Sequence, residues 1–265
     1  VTALGENTGV GYSLYVDDQL NIWHSDHSYR RIRVICYNVT DAGVCQSRTL
    51  GYTYWVAGDG TTTNGPDDVE AVINGIGLPY AISVQDGNPV FSDIQNEKIR
   101  MVCFDTTSGL CQFKTEGNLY NIASDTNSKD APVGKTLSTG IGIGDVQGVT
   151  RDSKGNLYFS DTYQDIVRVL CNDTSGSVGA CVGRTQGSVY RVAGTGSAAD
   201  GGTDLPAELT PINNPYGVAV DSHDNLFIAD RSSRRIRVVC WDTSAGYCSG
   251  LTEGHIYRAY GSGSQ

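Results

Sequence analysis

Pro215-Tyr216-Gly217-Val218-Ala219-Val220-Asp221, Asn225-Leu226-Phe227-Ile228-Ala229-Asp230, Arg235-Ile236-Arg237-Val238-Val239-Cys240 and His255-Ile256-Tyr257-Arg258-Ala259-Tyr260 follow one another in the last quarter of the chain. Each is short, rich in β-branched and aromatic residues, and bounded by Gly, Asp, Asn or Ser, so together they predict four antiparallel strands, a to d. The same unit recurs three more times upstream. The first cysteine of each copy stands at 36, 103, 171 and 240, a period of 67, 68 and 69 residues. So regular a period implies stacked or ring-arranged units.

The other copies keep the frame. Strand c reads Ile32-Arg33-Val34-Ile35-Cys36, Ile99-Arg100-Met101-Val102-Cys103 and Val167-Arg168-Val169-Leu170-Cys171, and strand d reads Tyr54-Trp55-Val56-Ala57, Tyr120-Asn121-Ile122-Ala123 and Tyr190-Arg191-Val192-Ala193. A four-stranded sheet of this kind has two faces to cover, and radial packing of neighbouring sheets covers both while leaving short, protected edges. The expected fold is all-β, a β-propeller of four-stranded antiparallel blades, with four repeats of about 67 residues and one hairpin disulfide in each. A single domain over 1–265 is expected, with repeats at approximately 1–66, 67–133, 134–202 and 203–265.

Gly-Val-Ala-Val-Asp, Asn-Leu-Phe-Ile-Ala-Asp and Arg-Ile-Arg-Val-Val in the fourth copy, with Val192-Ala193-Gly194-Thr195-Gly196 in the third, resemble the NHL repeat family. The resemblance spans essentially the whole chain and is strongest in the third and fourth copies. These units are longer than typical NHL repeats because of an extended c-to-d hairpin, and there are four where NHL propellers commonly have six. What the resemblance implies is a propeller; its enzymatic branch includes an amidating lyase with metal-bound histidines and calcium-dependent lactonases, and among the 4 His of this chain no three-His metal site can be assembled at matched repeat positions. RNA-binding members use a basic face, whereas this chain carries a net charge of -10, which leaves protein partners.

The segment Val1 to Tyr12 aligns with the connector Val69 to Tyr80, and Gly261-Ser262-Gly263 matches the start of a connector at Gly58-Asp59-Gly60. The expectation is a chain cut inside a connector at both ends: four blades closing into a ring, a segment of a longer array, or units meeting end to end. No run of 18 apolar residues and no signal-peptide pattern occurs, so membrane insertion is not expected.

The eight cysteines pair locally as Cys36/Cys45, Cys103/Cys111, Cys171/Cys181 and Cys240/Cys248, one pair across each c-to-d loop. Metal or redox chemistry would call for Cys-x-x-Cys or histidines at zinc spacing, and neither is present. Stapled hairpins imply an oxidising, extracellular or cell-surface location. Two sequons, Asn38-Val39-Thr40 and Asn172-Asp173-Thr174, lie in the same loops and are glycosylation candidates.

The Asp ending strand b and the Arg seven residues on recur as Asp26/Arg33, Asp93/Arg100, Asp161/Arg168 and Asp230/Arg237. They either form a ring of charge able to hold an ion, or cap the b-to-c turn and pair across the hairpin; strict repetition favours the structural role. His24-Ser25-Asp26-His27 offers two imidazoles and a carboxylate, yet His24 takes the strand position of Phe91, Phe159 and Ile228, and His27 falls in a turn. The acidic loops at Asp59, Asp67-Asp68 and Asp200 lack EF-hand spacing. Tyrosines 12, 15, 29, 37, 52 and 54 offer half-wet aromatic surface.

The sequence therefore points to a non-catalytic extracellular structural or interaction module, for adhesion, surface architecture or a filament. Its expected partners are other proteins or copies of itself, with no nucleic acid, cofactor, metal or catalytic residue. The alternatives are a secreted ligand- or carbohydrate-binding propeller and a metal-dependent hydrolase or lyase.

Overall fold

A computed structural model describes residues 9–39, 43–124 and 142–263, with the backbone of 135–136. The chain divides into two compact units, Val1–Ser124 and Asp125–Gln265. Both are built of four-stranded antiparallel propeller blades, two to a unit, joined by turns and short 3-10 segments.

In the first unit, blade 1 runs β1 (Gly11–Val16), β2 (Ile22–Asp26), β3 (Arg31–Ile35), β4 (Thr53–Ala57), in that spatial order. Blade 2 begins with a two-residue strand, β5 (Val69–Glu70), followed by β6 (Pro79–Gln85), β7 (Asn88–Asp93), β8 (Lys98–Val102) and β9 (Asn118–Ser124). β5 belongs to the connector and pairs with the outer edge of β9, covering an edge that would otherwise expose a row of backbone groups.

The second unit repeats the plan. Blade 3 holds β10 (Lys135–Thr136), β11 (Val146–Arg151), β12 (Leu157–Asp161), β13 (Ile166–Leu170) and β14 (Ser188–Ala193). Blade 4 holds β15 (Leu205–Pro206), β16 (Pro215–Val220), β17 (Leu226–Asp230), β18 (Arg235–Val239) and β19 (His255–Tyr260). β10 and β15 again edge the outermost strands.

Period-two alternation decides which side chains meet the next sheet. In the first unit Trp23, Ile32, Val34 and Val56 of blade 1 pack with Ile82, Val84, Phe91 and Leu119 of blade 2. In the second, Tyr158, Val167, Val169 and Val192 of blade 3 pack with Leu226, Ile228, Val239 and Ile256 of blade 4. Each such fully buried side chain contributes about 1.5–3 kcal/mol.

The innermost strand of every blade bulges near its start, between Gly11 and Leu14, Pro79 and Ile82, Val146 and Val149, and Pro215 and Val218. A bulge frees an amide and adds twist. In three blades a strand-b serine takes that amide: Ser13 N–H donates to Ser25 Oγ (3.1 Å), Ala81 N–H to Ser92 Oγ (3.0 Å) and Gly148 N–H to Ser160 Oγ (2.8 Å). Blade 4 has Ala229 at this position.

Glycine is required where the chain leaves strand d. At Gly194, φ is 88°, and a Cβ would stand 2.4 Å from the Asp165 carbonyl oxygen, so both conformation and space exclude a side chain.

Candidate functional site

The repeated Asp and Arg residues are drawn into the blades. Arg33 Nε lies 2.7 Å from Asp26 Oδ2, Arg100 Nε 3.1 Å from Asp93 Oδ2, Arg168 Nε 3.1 Å from Asp161 Oδ2, and Arg237 Nε 2.6 Å from Asp230 Oδ2. All four carboxylates are fully buried and the arginine side chains are 0–6% exposed.

The fork of each arginine beyond the first reaches the glycine-rich connector: Arg100 donates to the Gly65 carbonyl, Arg168 to that of Gly142, and Arg237 to those of Gly201 and Gly202. The free oxygen of the carboxylate caps a backbone amide, that of Tyr29, Gly77, Gly144 or Asn213. Charge-assisted bonds of this kind hold hairpin and connector together. Burial outweighs Arg168 and the Gly144 amide at Asp161, pushing its carboxyl up to about 6.

The cysteines pair as Cys36–Cys45, Cys103–Cys111, Cys171–Cys181 and Cys240–Cys248, with Cα separations of 5.4–5.6 Å. Asn38 is half-buried beside its loop, and its amide donates to Asn21 Oδ1; Thr40 of that sequon lies outside the described residues. Asn172 Nδ2 donates to the Lys154 carbonyl at 3.4 Å.

A second repeated device escaped the reading of the sequence. Asn21, Asn88, Asn156 and Asn225 open strand b, and each side-chain oxygen accepts two successive amides of the disulfide loop: Tyr37 and Asn38, Phe104 and Asp105, Asn172 and Asp173, Trp241 and Asp242. Its signal was a constant spacing of 15 residues from Asn to Cys in every copy. Likewise Tyr54, Tyr120, Tyr190 and Tyr257 each accept, at the hydroxyl, the amide of the threonine five residues earlier. Tyr54 is thereby structural, whereas Tyr12, Tyr29 and Tyr37 keep large exposed faces.

The histidines are dispersed among separate partners. His24 is half-buried on β2, His27 sits in the β2–β3 turn edge-on to Tyr12, His223 lies 3.3 Å from Asp242, and His255 3.2 Å from Asp204. Among the described residues no three His, Cys, Asp or Glu side chains come together as a metal site.

Two of the concave surfaces among the described residues bear on function. Between the a–b turns and disulfide loops of blades 1 and 2 lies a cleft of about 660 Å³, bordered by Asp17, Asp86, Asp105, Trp23 and Phe104. Two of its acidic residues are internally bonded: Asp17 accepts the Trp23 indole N–H at 2.7 Å, and Asp105, held below the usual carboxylate range by Thr107, accepts that residue's hydroxyl. On blade 4 a hollow of about 320 Å³ is lined by Tyr216, Ala229, Ile236 and Tyr260, with Arg231, Arg234 and Arg235 at its rim.

The exposed apolar side chains are concentrated on blade 1. Tyr12, Leu14 and Val16 alternate along one face of β1 and are 49%, 65% and 50% exposed. At the same register in blade 2, Ile82 and Val84 are 3% exposed, packed on blade 1.

Stapled, repeated sheets of this kind define the class as a disulfide-bearing β-propeller. No family model matches the sequence, and no curated protein does. Among solved structures, the chain is similar to a protein of unknown function from Bacteroides thetaiotaomicron (TM-score 0.54, 17% identity, covering 83% of this chain and 44% of that one). It is also similar to an auxiliary nutrient binding protein from the same organism (0.52, 16%, 85% and 46%) and to virginiamycin B lyase from Staphylococcus aureus (0.49, 13%, 97% and 57%). The chain thus spans roughly half the length of these proteins, and at such identities the likeness is one of fold.

Proposed function

We propose that this chain is a non-catalytic extracellular module whose blades, akin to NHL repeats, serve as a rigid scaffold for protein contact, in adhesion, surface architecture or a filament. The observation that carries this reading is the exposed strip Tyr12, Leu14 and Val16 on blade 1, because a soluble protein rarely leaves a contiguous apolar strip without a partner. Two features support it. The residues with the chemistry for catalysis, the repeated Asp and Arg, are consumed in holding hairpins to connectors. Four disulfides, formed and kept in oxidising compartments, support a secreted location.

The test is antibody labelling of intact, non-permeabilised source cells and of their medium, with thiol titration of the recovered protein. Surface or medium labelling with eight blocked cysteines is the expected result. A cytosolic protein with free thiols would sink the proposal.

The cleft between blades 1 and 2, with its carboxylate and amide rim beside Trp23 and Phe104, favours a second reading as a polyol- or sugar-binding propeller. Saturable binding on a glycan array, lost in Asp86→Ala, would support it.

A further inference from the structure

The contact between blades 1 and 2 provides a template for reading the two exposed faces. Tyr80 of blade 2 lies over Tyr12 of blade 1, ring centroids 4.4 Å apart and 23° from parallel, with His27 edge-on to Tyr80 at 6.5 Å. The Ser25 hydroxyl donates to the Tyr80 carbonyl at 2.6 Å, and the Ile82 amide to Ser13 Oγ. The seat of Tyr80 on blade 1 thus comprises positions 12, 25 and 27, over the strand-c residue Ile32.

Register pairing carries these positions to blade 4. Gly11 faces Asp26 as Pro215 faces Asp230, so 12, 25, 27 and 32 become Tyr216, Ala229, Arg231 and Ile236. These four residues line the hollow of about 320 Å³. Alternation turns Val218 and Val220 toward blade 3 and leaves Gly217 and Ala219 exposed on the opposite face, beside Ile236 at 37% and Tyr260 at 79%. Blade 4 therefore carries a tyrosine seat open to solvent, and blade 1 carries Tyr12 at the register position of the tyrosine that fills such a seat.

We propose that a second copy of this chain docks its Tyr12–Leu14–Val16 face onto the blade 4 hollow, Tyr12 stacking on Tyr216 as Tyr80 stacks on Tyr12. The interface is heterologous, so it propagates into an open filament or closes into a ring of chains. Ala229 supplies no hydroxyl where Ser25 tethers the next blade, so the contact rests on apolar and aromatic packing, with Arg231 already 4.8 Å from the Tyr216 ring centroid. This inference rests on the reading of the chain as a contact module and names its partner.

Two exposed substitutions test it: Leu14→Asp spoils the docking face and Tyr260→Lys places a fourth cation at the hollow. Because both side chains project into solvent, each variant should melt like the parent. Sedimentation velocity of the parent is expected to give concentration-dependent assembly, and each variant alone should associate about 30-fold or more weakly. Mixing the two variants should yield a capped one-to-one dimer, since one retains an intact hollow and the other an intact face. A parent that stays monomeric to about 100 µM, variants that assemble like the parent, or a mixture that stays monomeric would each overturn the inference. Surface labelling of a chain that fails this test would spare the broader reading and remove only the head-to-tail contact.

Discussion

The face that blade 1 turns to blade 2 and the outer face of blade 4 are built from the same register positions, yet one is sealed and the other open. On blade 1, Ser25 bonds both its own bulge and the Tyr80 carbonyl, and Ala57 at the end of strand d is fully buried. On blade 4 the equivalent residues are Ala229 and Tyr260, the latter 79% exposed. Ser160 repeats the tether in the second unit, donating to the Tyr216 carbonyl at 2.6 Å. A single hydroxyl and a small residue thus mark a face committed to the adjoining blade, and their replacement marks one presented outward.

What the two faces share is the buried ion pair, and breaking it has the largest expected effect. Arg237→Ala leaves Asp230 buried and uncompensated, and should cost about 3–5 kcal/mol in denaturant unfolding. Arg184→Ala, which removes a half-exposed pair with Glu208, should cost under about 1 kcal/mol. Equal losses would refute the weight placed on the repeated pairs.

Next in size is the staple. Replacing Cys240 and Cys248 with serine opens a loop with a sequence separation of 8, for an expected loss of about 2–3 kcal/mol; an unchanged unfolding midpoint would contradict this.

The serine tether comes next. Ser25→Ala strands the Tyr80 carbonyl and the Ser13 amide and should cost about 1–3 kcal/mol, whereas Ala229→Ser, with no blade carbonyl to meet, should stay within about 0.5 kcal/mol of the parent.

A further effect is one of pH. With Asp161 raised from 3.8 to about 6 in the folded chain, the native state holds more of this proton than the unfolded state between those values. Its contribution to stability is therefore present at acid pH and declines as pH rises through that window. Asp161→Asn should remove that decline, read as the difference in unfolding midpoint between pH 4 and pH 7.

The blades were legible because their signals repeat: cysteines at a period of 67 to 69 residues, an arginine in strand c three residues before each first cysteine, and an aspartate ending every strand b. The edge strands β5, β10 and β15 were not, since two residues carry no periodicity and their pairing is set by where the connector crosses the blade. The loop-fastening role of Asn21, Asn88, Asn156 and Asn225 was visible in spacing alone, but its meaning depends on the loop amides folding back onto strand b. The distinction between sealed and open faces hangs on Ser25 against Ala229, a difference that strand propensity ignores.

The head-to-tail contact is decided by electron microscopy of the purified parent chain, with mass determination across a range of concentrations. Regular end-to-end strings or rings that disperse in Leu14→Asp are the expected result. Discrete single-chain particles at every concentration would contradict it.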